Sequence, residues 1–256
     1  MAINEVTFNS VNFWQDLGAA LSAPISYPVP TEVKELVKIK GANGSLTEAT
    51  GYYNNIEIDA KFKVLIGRGQ EEGCDTFEGV KRKISKIFNG INDNRLMFSD
   101  IENRCYRVKS AGVGPVTKIS DYEATFEVTF NCDPFLYNPD EGYIETHSDH
   151  TRLTYNYDGD VRNIVVIELT MAGKGAISIG CNGSVFRFEA TGQPTYYINR
   201  NPFTLVNDGN GVGVPSSGVQ PVSKIGQNEI TISSIGGNIK EILKKVRIYK
   251  NTRYLG

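Results

Sequence analysis

The chain has 256 residues, of which 40% are hydrophobic and 22% charged, and its formal net charge is −2. These values describe a globular protein, long enough for one large β-domain or two of ordinary size, and exclude a disordered or fibrous chain. The slightly acidic balance excludes the basic face that a dedicated nucleic-acid binder requires, and no stretch approaches the roughly 20 apolar residues that cross a bilayer.

Residues 1–8 hold neither a basic run nor an apolar core, so no secretory leader is expected and synthesis in a cytoplasm is. Residues 3–13 read as strand. Pro24, Pro28 and Pro30 lie too close together for a helix interior and mark residues 23–30 as a stiff extended connector. Residues 33–40 suit a strand with a lysine-rich outer face, although Val33, Leu36 and Val37 also suit a helical turn. Gly41, Asn43 and Gly44 on one side and Gly51 on the other bracket a loop with turn chemistry. From Ile56 to Ile66 apolar and polar residues alternate, which predicts a strand with one buried face.

A helix is predicted over 75–89, with Asp75 as cap, Glu78 completing a capping box and Gly90 as the stop. Phe77, Val80, Ile84, Ile87 and Phe88 follow its 3.6-residue period, while Lys81, Arg82, Lys83 and Lys86 take the wet side. Strands follow over 95–98 and 106–109. Residues 123–132 alternate strictly, and Pro134 is expected to end that strand. The first domain is thus a β-sandwich-like unit over 1–138 with one amphipathic helix.

Residues 139–150 are polar and turn-rich, a linker by composition. Short apolar runs then recur at 161–169, 176–181, 185–189, 195–198, 203–206, 229–233 and 246–249, with a short helix near 238–245. Asn182-Gly183 between two of them signals a hairpin. This spacing predicts a second β-sandwich over 151–256, making the chain mainly β.

Chemistry is sparse. The glycine-rich pieces at 67–69, 112–114 and 209–213 lack the lysine and helix start of a phosphate loop. His147 and His150 have no evident third partner for a metal. Cys74, Cys105, Cys132 and Cys181 form no C-x-x-C pair and read as reduced thiols. No G-x-S-x-G elbow exists. Glu57, Asp59, Glu123 and Glu127 are the acids a glycosidase would need, yet they alternate like a solvated strand face. Asp158, Asp160, Asn207 and Asp208 have the look of calcium-loop residues without a complete ligand set. Trp14, Arg104, Arg107, Tyr196 and Tyr197 are of types that line a sugar groove. No catalytic residue, metal site or cofactor site is assigned, and the chain does not read as an enzyme.

Several segments taken in order resemble the distal tail protein (Dit) family of siphophages infecting Gram-positive bacteria. They are residues 3–9, 39–46 and 51–58, the helix, residues 95–100 and 104–106, and the closing run from Phe126 through Cys132-Asp133-Pro134-Phe135-Leu136-Tyr137. The resemblance covers about the first 138 residues. Ile87-Phe88 stand where family members often have Trp-Leu, which preserves a buried aromatic.

The resemblance implies a structural virion protein: a homo-oligomeric ring, a hexamer in the family, with a galectin-like second domain. Such a ring meets the tail tube protein, the tail-tip protein and the receptor-binding protein, and lets DNA pass its lumen without specific binding or membrane insertion. It also implies an inter-subunit arm, for which Gly41, Asn43, Gly44, Gly51, Tyr52 and Tyr53 are the candidates; the same segment could instead cap its own sheet. A lectin-like protein with weak saccharide contact is the alternative function.

Overall fold

The computed structural model describes residues 5–40, 44–147, 152–201 and 204–255. It divides into one compact unit of Met1–Pro139 with Leu255–Gly256 and another of Asp140–Tyr254. The first unit runs β1 (Val6–Phe8), β2 (Val11–Asn12), α1 (Phe13–Leu17), β3 (Ala19–Leu21), β4 (Glu32–Lys38), β5 (Ser45–Tyr53), β6 (Ile56–Leu65), α2 (Phe77–Asn89), β7 (Arg95–Phe98), β8 (Cys105–Val113), β9 (Thr117–Ser120) and β10 (Glu123–Tyr137).

Eight of these strands form one sheet in the order β2-β1-β7-β8-β10-β6-β3, with β9 paired to β10. Its backbone is the long β6–β10 pairing, in which Phe126 faces Phe62 and Phe130 faces Ile58. Side chains alternate across a strand, so every second residue of β6 is buried and the rest are wet. The buried rings meet: Phe62 stacks on Phe126 at 4.9 Å, and Phe8 meets Phe130 edge-on at 5.2 Å. Val80, Ile84 and Ile87 bury one face of α2, and Phe88 lies against Phe8, Phe13 and Phe130.

The structure corrects several expectations here. Among its described residues the first unit has two helices, because the chain after Asn12 turns into α1, whose amide of Gln15 is capped by the Asn12 side chain. Thr76, not Asp75, caps α2: its extended backbone aims Oγ1 at the amide of Gly79, 3.1 Å away. At the other end Asn9 donates to the carbonyls of Ile87 and Gly90, so a residue remote in sequence completes the cap. Strand β10 does not stop at Pro134. Register shifts on either side of Cys132 relieve the ladder there, so no hydrogen bond is asked of the proline. The connector over 23–30 is moored where Tyr27 donates to Asp100 and packs its ring on Phe98 and Tyr106.

The second unit runs β11 (Tyr143–His147), β12 (Arg152–Tyr157), β13 (Asn163–Ile164), β14 (Val166–Met171), β15 (Gly175–Cys181), β16 (Ser184–Ala190), β17 (Thr195–Asn201), β18 (Thr204–Asp208), β19 (Ser216–Gly218), β20 (Val222–Ser223), β21 (Gly226–Ile235), α3 (Ile239–Ile242) and β22 (Leu243–Tyr249). Two five-stranded sheets, β11-β22-β14-β17-β18 and β12-β21-β15-β16-β19, enclose the core, and β13 pairs β20. Ile167, Leu169, Ile177, Ile179, Phe186, Ile230 and Ile248 are fully buried in it. The hairpin at Asn182-Gly183 forms as read, with φ of 50° and 89° at the two residues, the left-handed pair such a turn requires. The segment over 139–150 is not simply a linker: β11 lies within it, in register with β22. Polarity hid that strand, because alternate side chains face water.

Candidate functional site

Strands β4 and β5 pair only with each other, as a ribbon outside the large sheet. A two-stranded ribbon is marginal on its own and needs a surface to pack against. This one carries Leu36 (70% exposed), Leu46 (56%), Val37 (40%) and Tyr52 (75%) into solvent. Val37 is directly opposite Leu46 and Glu35 directly opposite Glu48. Alternation puts these four on one face, an apolar pair beside a pair of like charges. The root is built from local bonds: Thr50 donates to the carbonyl of Val33 at 2.6 Å and the amide of Gly51 to Glu32 at 3.0 Å.

Of the arm residues named from the sequence, Gly41 and Asn43 lie outside the described residues. Gly44 precedes β5 with φ of 100° and open space where a β-carbon would stand. Gly51 turns the root at φ 73°, Tyr52 faces solvent and Tyr53 turns back onto Phe135 at 5.1 Å between rings. The bracketed loop is therefore mostly strand. Glu35, Leu46 and Glu48 are not among the arm residues named from the sequence, and Leu36 and Val37 appear there only as residues of a strand or helical turn; the available signal is the pairing of two short apolar runs across a turn.

The other candidates disperse. On the wet face of β6 and β10, Glu127 pairs with Lys61 at 2.8 Å, Glu123 with Lys63 at 2.9 Å, and Asp59 accepts from Thr129 at 2.6 Å. These acids are solvated strand residues held by neighbours. Trp14 and Arg107 belong to the first unit, stacked with Arg68 and Tyr137 respectively. Tyr196 is in the second core, its hydroxyl accepting from the amide of Thr191, while Tyr197 lies under Arg200. Asp208 accepts from the amides of Asn210 and Val212, which accounts for that loop as a turn. His147 is on β11 and His150 lies outside the described residues. Among the described residues no three His, Cys, Asp or Glu side chains cluster as metal ligands, and no helix is long and apolar enough to cross a membrane. All four cysteines are buried.

Residues 14–132 match the model of a family described as phage tail protein RIFT-related domain. That stretch is similar to a phage tail domain. The fold of the chain is similar to the crystal structure of the Dit (gp 19.1) protein of SPP1, with a TM-score of 0.55 at 12% identity over 97% of this chain and 99% of that one. That protein is described as a paradigm of the hub adsorption apparatus in phages infecting Gram-positive bacteria. No curated protein sequence matches. The likeness to phage tail proteins seen in the sequence thus recurs in the family model over residues 14–132, and the likeness to a Dit protein recurs in the fold of the whole chain.

Proposed function

We propose that this protein is a distal hub subunit of a phage tail, whose first unit closes with copies of itself into a ring, of six as the family resemblance implies. The ring joins tail tube to tail tip, anchors the receptor-binding apparatus and leaves a bore for DNA. The observation that supports this reading is the β4–β5 ribbon, whose Leu36, Leu46 and Tyr52 are more exposed than buried among the described residues. A strand pair extended from one subunit onto the next is a heterologous contact, the kind that generates a ring when its rotation closes. The wet face of β6 and β10 offers duplex DNA no uncompensated cations, since Lys61 and Lys63 are engaged by Glu127 and Glu123. The role is structural, with no catalytic step assigned. Native mass spectrometry should show a six-fold mass, and immunogold labelling of virions should mark the distal tail end. A label elsewhere, or a chain without self-association, would overturn the reading.

One observation favours saccharide contact as a second role. The outer face of β11, β22 and β14 assembles Tyr143 over Arg247 (4.5 Å), Arg247 on Glu145 (2.7 Å) and Tyr249 on Glu168 (2.9 Å). Aromatic platforms beside oriented planar hydrogen-bonding groups suit a sugar ring. A glycan array with the full chain should give signal that Arg247→Ala removes; a blank array rejects this role and leaves the hub intact.

A further inference from the structure

We infer that the ribbon of one copy seats in the groove along the outer side of α2 on the next copy, with Glu35 and Glu48 against Arg82 and Lys86; this rests on the ring reading above. The ribbon side of the contact is acidic and unpaired. Like charges directly opposite across a strand pair repel, and neither Glu35 nor Glu48 has an ion-pair partner among the described residues.

The groove is lined by the 72–76 turn and by α2, including Gly79, Arg82, Lys86 and Asn89. Its other cations are engaged, Lys81 by Glu78 and Lys83 by Glu71. Arg82 and Lys86 are exposed, have no partner among the described residues and stand at i, i+4, where like charges also repel. Opposed strand residues place their β-carbons roughly 4.5–5.5 Å apart and helix neighbours at i, i+4 about 5–6 Å apart. The two pairs therefore match in spacing and oppose in sign. The methylene stems of Arg82 and Lys86 supply apolar surface for Val37 and Leu46.

Placement makes the contact one between copies. The ribbon joins β6 at its Ile56 end through two residues. The turn that floors the groove is tied to the other end, where the amide of Gly67 donates to Cys74 at 2.7 Å. Ten extended residues of β6, roughly 30 Å, separate them, and the exposed Leu36 and Leu46 show that the ribbon does not fold back.

The test is sedimentation of the full chain over a concentration series. Glu35→Lys with Glu48→Lys, and separately Arg82→Glu with Lys86→Glu, should each weaken assembly at least about tenfold while circular dichroism is unchanged; all four together should recover it. Glu35→Gln with Glu48→Gln, which alters only charge, should flatten the salt dependence expected of the natural chain. Equal assembly of natural and reversed chains, or folded quadruple variants that stay apart, would overturn this interface and leave the ring standing. A natural chain that remains monomeric would overturn the ring and the interface together.

Discussion

Gly79 sits in the first turn of α2, where alanine would ordinarily stabilise a helix by about 1 kcal/mol. Here an added β-carbon would overlap the carbonyl oxygen of Gly73, so the turn over 71–76 must move. Gly79→Ala should therefore destabilise by about 1–3 kcal/mol, read as a lower urea midpoint. Asp93 makes a second residue-scale case. The Arg95 guanidinium, bonded through Nε at 2.8 Å and Nη2 at 2.7 Å, holds its carboxyl down at about 2, with help from the Arg95 amide and the Ser10 hydroxyl. A depressed folded value means stability that is full above the unfolded value near 4 and is lost as pH falls toward 2. Asp93→Asn should accordingly flatten the acid limb of a stability–pH curve between those limits. Burial pushes the Cys132 thiol up to about 12. Cys132 should resist alkylation at pH 8 until the chain unfolds.

At the scale of elements, β6, β10 and α2 are legible in the sequence because each buries one face and wets the other, so period alone reports them. The ribbon is the opposite case. Strand β5 has both faces exposed in the single chain, so no alternation marks it, and its turn residues dominate the reading. The cap of α2 shows the limit at finer grain. Asp75 and Thr76 are both capping residues, and the choice between them depends on the neighbouring turn, held by the bond from Gly67 to Cys74. Deleting residues 42–50 removes most of β5 and none of the sheet of eight. The product should be a folded monomer with its near-ultraviolet spectrum retained and its assembly lost; light scattering that shows an intact ring would reject the ribbon as the arm.

For the whole molecule, each unit has a core of its own, so the second should fold alone when cut at its structural edge. A fragment of 140–254 should unfold cooperatively. One starting at 151 lacks β11 and bares the edge of β22, so its midpoint should be lower and its solubility worse. What the chain's order of residues determined unaided is the mainly β character and the one long helix, since these follow from periodicity and turn chemistry within a few residues. Tertiary structure alone decided that Pro134 lies inside a strand, that Asn9 closes α2, and that the ribbon stands uncovered. Each of those depends on groups brought together from well outside the local window or on a surface left empty, and local pattern carries no information about either.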